Sequence, residues 1–146
     1  MSDDFAKKFA EKLERERSEQ HTKDEKFVQR EALKKTLGPL LWGDLRDWLE
    51  RTSGKINMEL GKDEFLFENS PSSELFIRYA GPPAHLHLTF DSGANRLHCE
   101  CSDGKGEYIV EISDTGEAYF RDPYHRSFSI EEIGQMLLAM LRKSRF

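Results

Sequence analysis

The chain has 146 residues, of which 37% are hydrophobic and 34% are charged, and its formal net charge is -5. This length suits a single domain, and so low an apolar fraction predicts a modest core with at least one long solvated segment. The net negative charge argues against a nucleic-acid partner, because clustered Lys and Arg supply most of the affinity for phosphates.

The first residues, MSDDFAKKF, contain no apolar signal-peptide core, and the longest purely apolar run is MLLAML at 136–141. A membrane span needs about 20 apolar residues, so we expect a soluble, cytoplasmic protein with no membrane partner. Cys99 and Cys101 are one residue apart in a predicted strand and are poorly placed to bond each other. We therefore expect two reduced, buried thiols.

Residues 1–21 form a charged N-terminal segment in which Phe5, Phe9 and Leu13 recur at helical spacing. Such a segment is predicted to be either a disordered tail or an exposed helix that docks its phenylalanines on a partner. Residues 22–146 are expected to form one α+β domain.

Two helix signals follow this segment. Thr22 and Glu25 have the spacing of a capping box, which predicts a helix start at Thr22. Gly38 and Pro39 should end or kink that helix, because a proline disfavours the helical conformation of the residue before it. The pattern allows two helices in series or one long bent helix.

The clearest helical pattern is PLLWGDLRDWLERT at 39–52. Its apolar residues fall on one stripe, and Gly54 is the expected cap. We interpret the stripe, including both tryptophans, as core. It consists of Leu41, Leu45, Trp48 and Leu49, widened by Leu40 and Trp42.

From Lys55 the apolar period changes to two, which predicts a strand at 55–60 and further strands from Phe65 onward. Short turns separate the segments, so they are expected to form an antiparallel meander of about seven strands. The most informative hairpin joins 84–91 to 96–103. If Asp91 pairs with Arg96, Leu86, Leu88 and Phe90 face Cys101, Cys99 and Leu97.

The other face of that hairpin would carry His85, His87, His98 and Glu100, with Glu111 on the next strand. Imidazoles beside a carboxylate are what zinc requires, so these residues are the candidate metal ligands. The alternative is a sheet face that is solvated or covered by a partner. No cofactor is expected unless this face binds zinc.

A second candidate is the loop FRDPYHRSF at 120–128, where Arg121, Tyr124, His125 and Arg126 combine positive charge with aromatic rings. These residue types can hold a phosphate, a carboxylate or a base, or contact a partner. The alternative is an ordered linker beneath the C-terminal helix, whose start is marked by a capping box at Ser129 and Glu132.

We therefore expect an α+β fold: N-terminal helices, an antiparallel meander of about seven strands, and a C-terminal helix packed on one face of the sheet. The sequence contains no nucleophile elbow, P-loop, HExxH or paired CxxC motif, which favours a protein without enzymatic activity. The hypothesis is a non-enzymatic interaction module that forms a homo-oligomer, expected to be a homodimer, or binds another protein. The alternative is a small-molecule or metal-binding domain that uses a pocket between helix and sheet or the histidine face.

Overall fold

The computed structural model describes residues 2–68, 70–80, 84–101 and 104–143. Within these ranges the strands form one antiparallel sheet in chain order, and helices precede and follow it. The α+β class and the seven-stranded meander are therefore confirmed. The elements are α1 (Ser2–Leu60), β1 (Phe65–Glu68), β2 (Glu74–Tyr79), β3 (Ala84–Asp91), β4 (Arg96–Cys101), β5 (Gly104–Ile112), β6 (Ala118–Arg121), β7 (Ser127–Phe128) and α2 (Ile130–Lys143).

The core lies between one face of the sheet and the two helices. Along each strand, buried residues alternate with more exposed ones, as expected when one face is covered and the other is not. Leu45 and Leu49 of α1 and Ile133 and Leu137 of α2 are fully buried against that face. The C-terminal helix therefore packs where the sequence predicted.

The β3–β4 hairpin has the predicted register. Asp91 pairs with Arg96, and the apolar and polar faces separate as the alternation requires. Both cysteines are free and buried, which confirms that prediction. The remaining pairs are Phe90 with Leu97, Thr89 with His98, Leu88 with Cys99, His87 with Glu100, and Leu86 with Cys101.

The helix start predicted at Thr22 is wrong, because α1 is already helical from Ser2 onward. Thr22 Oγ1 donates to Ser18 O at 2.9 Å, within the helix, and does not cap it. Of the two alternatives at Pro39, the chain adopts a single continuous helix. Gly38 is buried there, and a Cβ added to it would lie 2.2 Å from Asn95 Oδ1.

The strand predicted at 55–60 and the cap at Gly54 are also wrong, since α1 continues to Leu60. Gly61 terminates it with a φ of 67°, the left-handed conformation that glycine adopts most easily. Of the alternating apolar residues, Ile56 packs against the core as part of the helix, whereas Met58 is 84% exposed and Leu60 is 53% exposed. Extending an established helix is favoured over starting a strand under those conditions.

Trp42 fixes α1 to the loop between β1 and β2 and to the end of β3. Its Nε1 donates to Ser72 O at 2.8 Å, and its ring stacks on Phe90 with centroids 5.9 Å apart. Leu40, two residues earlier, points away and is 61% exposed, so it does not widen the buried stripe as predicted.

The capping box that predicts the start of α2 is present. Ser129 N donates to Glu132 Oε1 and Glu132 N donates to Ser129 Oγ, both at 3.2 Å. One turn later α2 crosses α1, where Gly134 lies against the ring of Trp48.

Candidate interaction surfaces

The N-terminal half of α1 projects from the domain. Every side chain from Asp3 to Arg30 is exposed, and we call residues 3–30 the arm. Phe5 is 71% exposed and Phe9 is 51% exposed, and their rings stack on each other at 5.8 Å. Contact with the sheet begins where Arg30 Nη2 bonds Asp114 Oδ1 at 2.8 Å.

One turn further along α1, Lys34 strengthens this junction. Its Nζ lies 3.3 Å from Glu111 Oε2, and its side chain is only 17% exposed. Glu111 also receives Arg121 Nη2 at 3.3 Å. The carboxylate that sequence reasoning assigned to the histidine face therefore pairs with α1 and β6.

On the outer face of the sheet, two predicted metal ligands contact residues that sequence reasoning missed. His87 Nε2 lies 3.3 Å from Glu74 Oε1. The ring of Phe76 lies 4.9 Å from that of His87 and 5.7 Å from that of His85. The alternation in β2 is enough to place Phe76 on this face. Its position opposite His87 follows only from the register between β2 and β3.

The other two predicted ligands are on β4, where Glu100 is directly opposite His87 and His98 is opposite Thr89. On the β5 side, His98 is opposite Glu107, and Glu100 is opposite Lys105. Over the described ranges, no three His, Cys, Asp or Glu side chains come close enough together to hold a metal ion.

The structure brings the residues of the second candidate, the β6–β7 loop, together around Asp122. Its Oδ1 accepts from Tyr124 N at 3.0 Å and Arg126 N at 2.8 Å, and its Oδ2 accepts from Arg126 Nε at 2.7 Å. Arg121 contacts His125 Nδ1 through its guanidinium. The cationic groups of the loop are therefore bonded within the protein.

Asp122 is 5% exposed. Burial alone would raise the pKa of Asp122, but the hydrogen bonds and charge of Arg126 and the amide of Tyr124 lower it overall. The Arg126 guanidinium also lies 5.7 Å from the ring centroid of Tyr124 and 5.9 Å from that of Phe128. These contacts make the loop a pre-formed turn, with the Tyr124 ring 79% exposed at its tip.

The thiol of Cys99 is not a reactive group. Burial, followed by the neighbouring Cys101, raises the pKa of Cys99 to about 12. The thiolate is the nucleophile and metal ligand, so Cys99 is unsuited to either role near neutral pH.

Two open clefts lie beside the sheet. One of about 920 Å³ is bounded by α1, the β5–β6 hairpin and the start of α2, and Tyr119 and Phe128 line it with several acidic residues. The other, of about 690 Å³, is lined by residues 98–100 of β4, residues 105–108 of β5 and the loop at 122–126.

The sheet margins are protected unequally. At β1, the Asn57 side chain accepts from Glu64 N and Phe65 N and donates to Phe65 O, all within 3.0 Å. β7 has only 2 residues. β6 pairs with β5 only at Ile109–Ile112, so within the described part of the chain no strand lies beside Gly104–Tyr108 on that side. We call Gly104–Tyr108 the open edge.

These features define the class of the protein: an α+β domain with a single-sheet meander and a projecting helical arm. Comparison with protein-family models, curated proteins and solved structures found no match to this chain. Over their described residues, neither α1 nor α2 has the unbroken apolar length that crossing a bilayer requires. The arm, the clefts and the open edge are the features that bear on function.

Proposed function

We propose that this chain is a non-enzymatic, cytoplasmic protein-interaction module that works as a homodimer and docks its arm on another protein. The observation that carries the proposal is the arm itself: 28 consecutive exposed helical residues with Phe5, Phe9 and Leu13 along one side. These anchors recur every fourth residue, which is how an amphipathic helix fits an apolar groove.

The arm has little to stabilise it within one chain. The exposed side-chain contacts include His21 Nε2 to Glu25 Oε1 at 2.9 Å and Gln20 Nε2 to Asp24 Oδ1 at 3.0 Å. Such pairs contribute roughly 0.2–0.5 kcal/mol each. Burial of a Phe or Leu side chain contributes about 1.5–3 kcal/mol. A partner that covers the three apolar anchors would therefore outweigh all of these local pairs.

The charge of the arm favours a protein partner. Between residues 3 and 30 there are eight Lys and Arg and eight Asp and Glu residues, so the arm has no formal net charge with His neutral. Nucleic acids and anionic membrane surfaces select clustered positive charge. A mixed-charge helix with an apolar stripe suits a polypeptide surface that offers both signs around an apolar groove.

A photo-crosslinking amino acid at Phe9 tests the docking side of the arm, and the same group at Lys7 is the matched control. Lys7 lies about 160° around the helix from Phe9. In native cells we expect a covalent adduct with a second polypeptide from position 9 and none from position 7. Equal labelling at both positions, or none at either, would contradict the proposal.

Deletion of residues 1–20 provides an independent test. It removes Phe5, Phe9 and Leu13 while leaving the anchored part of α1 intact, so the domain should keep its unfolding temperature and lose the adduct partner. A truncated chain that still recovers the same partner would show that the arm is not the docking element.

The second candidate function is small-molecule binding in the cleft of about 920 Å³ between α1 and the sheet. Its support is a concave site with an aromatic wall, Tyr119 and Phe128, beside polar groups. Native mass spectrometry of the full chain would then show a stoichiometric organic adduct that Tyr119→Arg removes. A protein purified from native cells whose mass shows no organic adduct would argue against small-molecule binding in this cleft.

A further inference from the structure

The open edge directs unpaired backbone groups outward. Val110 N donates to Asn95 O, toward the β4 side, at 2.9 Å. Successive residues of a strand point their N–H and C=O groups to opposite sides. The backbone N–H and C=O groups of Lys105 and Glu107, at odd-numbered positions, therefore point away from β4. On that side the described chain has no strand to pair with these groups.

We propose that a second copy of this chain pairs antiparallel with the open edge, about a two-fold axis at Gly106. This rests on the proposed homodimer and names its interface, which is separate from the arm. In this register Lys105 lies opposite Glu107 of the second copy, and Glu107 lies opposite Lys105. Both positions carry outward backbone groups, so four main-chain hydrogen bonds form across the axis.

The charges of the outer face support this register. Within one copy, Glu100 lies opposite Lys105 and His98 lies opposite Glu107. Pairing with the second copy extends this row of side chains across the interface, in the order Glu100, Lys105, then Glu107 and His98 of the second copy. Lys105 and the Glu107 of the second copy, which meet at the interface, carry opposite charges. Axes at Lys105 or at Glu107 would instead place identical charges opposite each other, which is unfavourable.

The inner face also fits. Gly106 meets its own copy without side chains, and Gly104 lies opposite Tyr108 of the second copy, where an aromatic ring beside a glycine is a favourable pair. The five paired residues fill the gap up to Ile109, where pairing with Arg121 begins.

An open cleft adjoins the open edge. The cleft of about 690 Å³ is lined by Lys105–Tyr108, by residues 98–100 of β4 and by the β6–β7 loop. The Asp122 hydrogen bonds hold that loop in place, so the wall of the cleft is formed without a partner. Protected edges are the rule in folded proteins, and a second copy would cover this one.

Charge reversal tests the interface through native mass spectrometry, with the chain mass of 17.0 kDa as the reference. We expect wild type at twice this mass and Lys105→Glu and Glu107→Lys each at the monomer mass, because each variant places like charges opposite. An equal mixture of the two variants should give a heterodimer. The double variant should be a homodimer again, which excludes misfolding as the cause.

Monomeric wild type, or single variants that remain as dimeric as wild type, would overturn the proposal. Deletion of residues 1–20 separates the interface from the arm, since the open-edge dimer should keep its two chains without those residues. If the deletion chain were monomeric while both charge variants stayed dimeric, the arm would form the dimer interface and the open-edge interface would be wrong.

Discussion

Gly134 lies so close to the indole of Trp48 that a Cβ added there would be 2.2 Å from Cζ3. Where α2 crosses α1, the position of Gly134 therefore has room for a hydrogen atom but not for a methyl group. Gly134→Ala should therefore destabilise the domain by about 1–3 kcal/mol, the usual effect of overpacking, as measured by urea unfolding.

Gly54→Ala is the matched control for this substitution. Gly54 is also inside a helix, but it is exposed and a Cβ there meets nothing within 4 Å. Alanine should stabilise the helix by about 0.5–1 kcal/mol at this position. If both alanine variants gained stability, the contact between Trp48 and Gly134 would not be tight in solution.

Asn57 joins the last turn of α1 to the free margin of β1. Asn57→Ala removes the side-chain partner of Phe65 N and Phe65 O, and one of two acceptors of Glu64 N, which also donates to Lys62 O. It should destabilise the domain by about 1–3 kcal/mol. Asn57→Asp keeps the acceptor but sets a carboxylate against Phe65 O, so an intermediate loss is expected. Chemical unfolding of wild type and both variants measures the order of their unfolding free energies. An alanine variant as stable as wild type would contradict the role of Asn57.

Asp122 should give the domain an acid-sensitive contribution to stability. Because its folded-state pKa lies below the ordinary value of 3.8, the contribution is present above that value and is lost as the pH falls through the folded pKa. Unfolding free energies from neutral pH to about pH 2 should therefore fall less steeply for Asp122→Asn. Arg126→Gln should flatten the curve as well, and Arg51→Gln, at an exposed arginine of α1, should not.

Cys99 should resist alkylation in the folded protein. Its side chain is 3% exposed, and its thiol has a pKa of about 12, so almost no thiolate exists near neutral pH. Iodoacetamide followed by peptide mass analysis should label Cys99 only after denaturant is added. Rapid labelling in the native state would show that β4 opens locally.

The parts of the fold that the sequence predicted are those set by neighbouring residues. The four residues between Asp91 and Arg96 fix the hairpin register, and Ser129 with Glu132 marks the start of α2. Both signals act over a few residues, so a single sequence is enough to find them.

The continuity of α1 through Pro39 could not be predicted because it depends on distant contacts. Arg30 reaches Asp114, Trp42 reaches Ser72, and the intervening turns are helical although Pro39 weakens them locally. The open edge was missed for a similar reason. It arises from the lengths of β5 and β6 relative to each other, and those are visible only once the strands are paired.

Since α1 is one helix from the margin of β1 to the tip of the arm, the helical arm is a spacer of fixed length and not a flexible linker. Phe5 stands about 38 Å from Arg30 along the helix axis. A flexible linker of that many residues would sample a broad range of distances. A protein bound at Phe5 would instead be held at one fixed distance from the sheet, and it would rotate together with the domain.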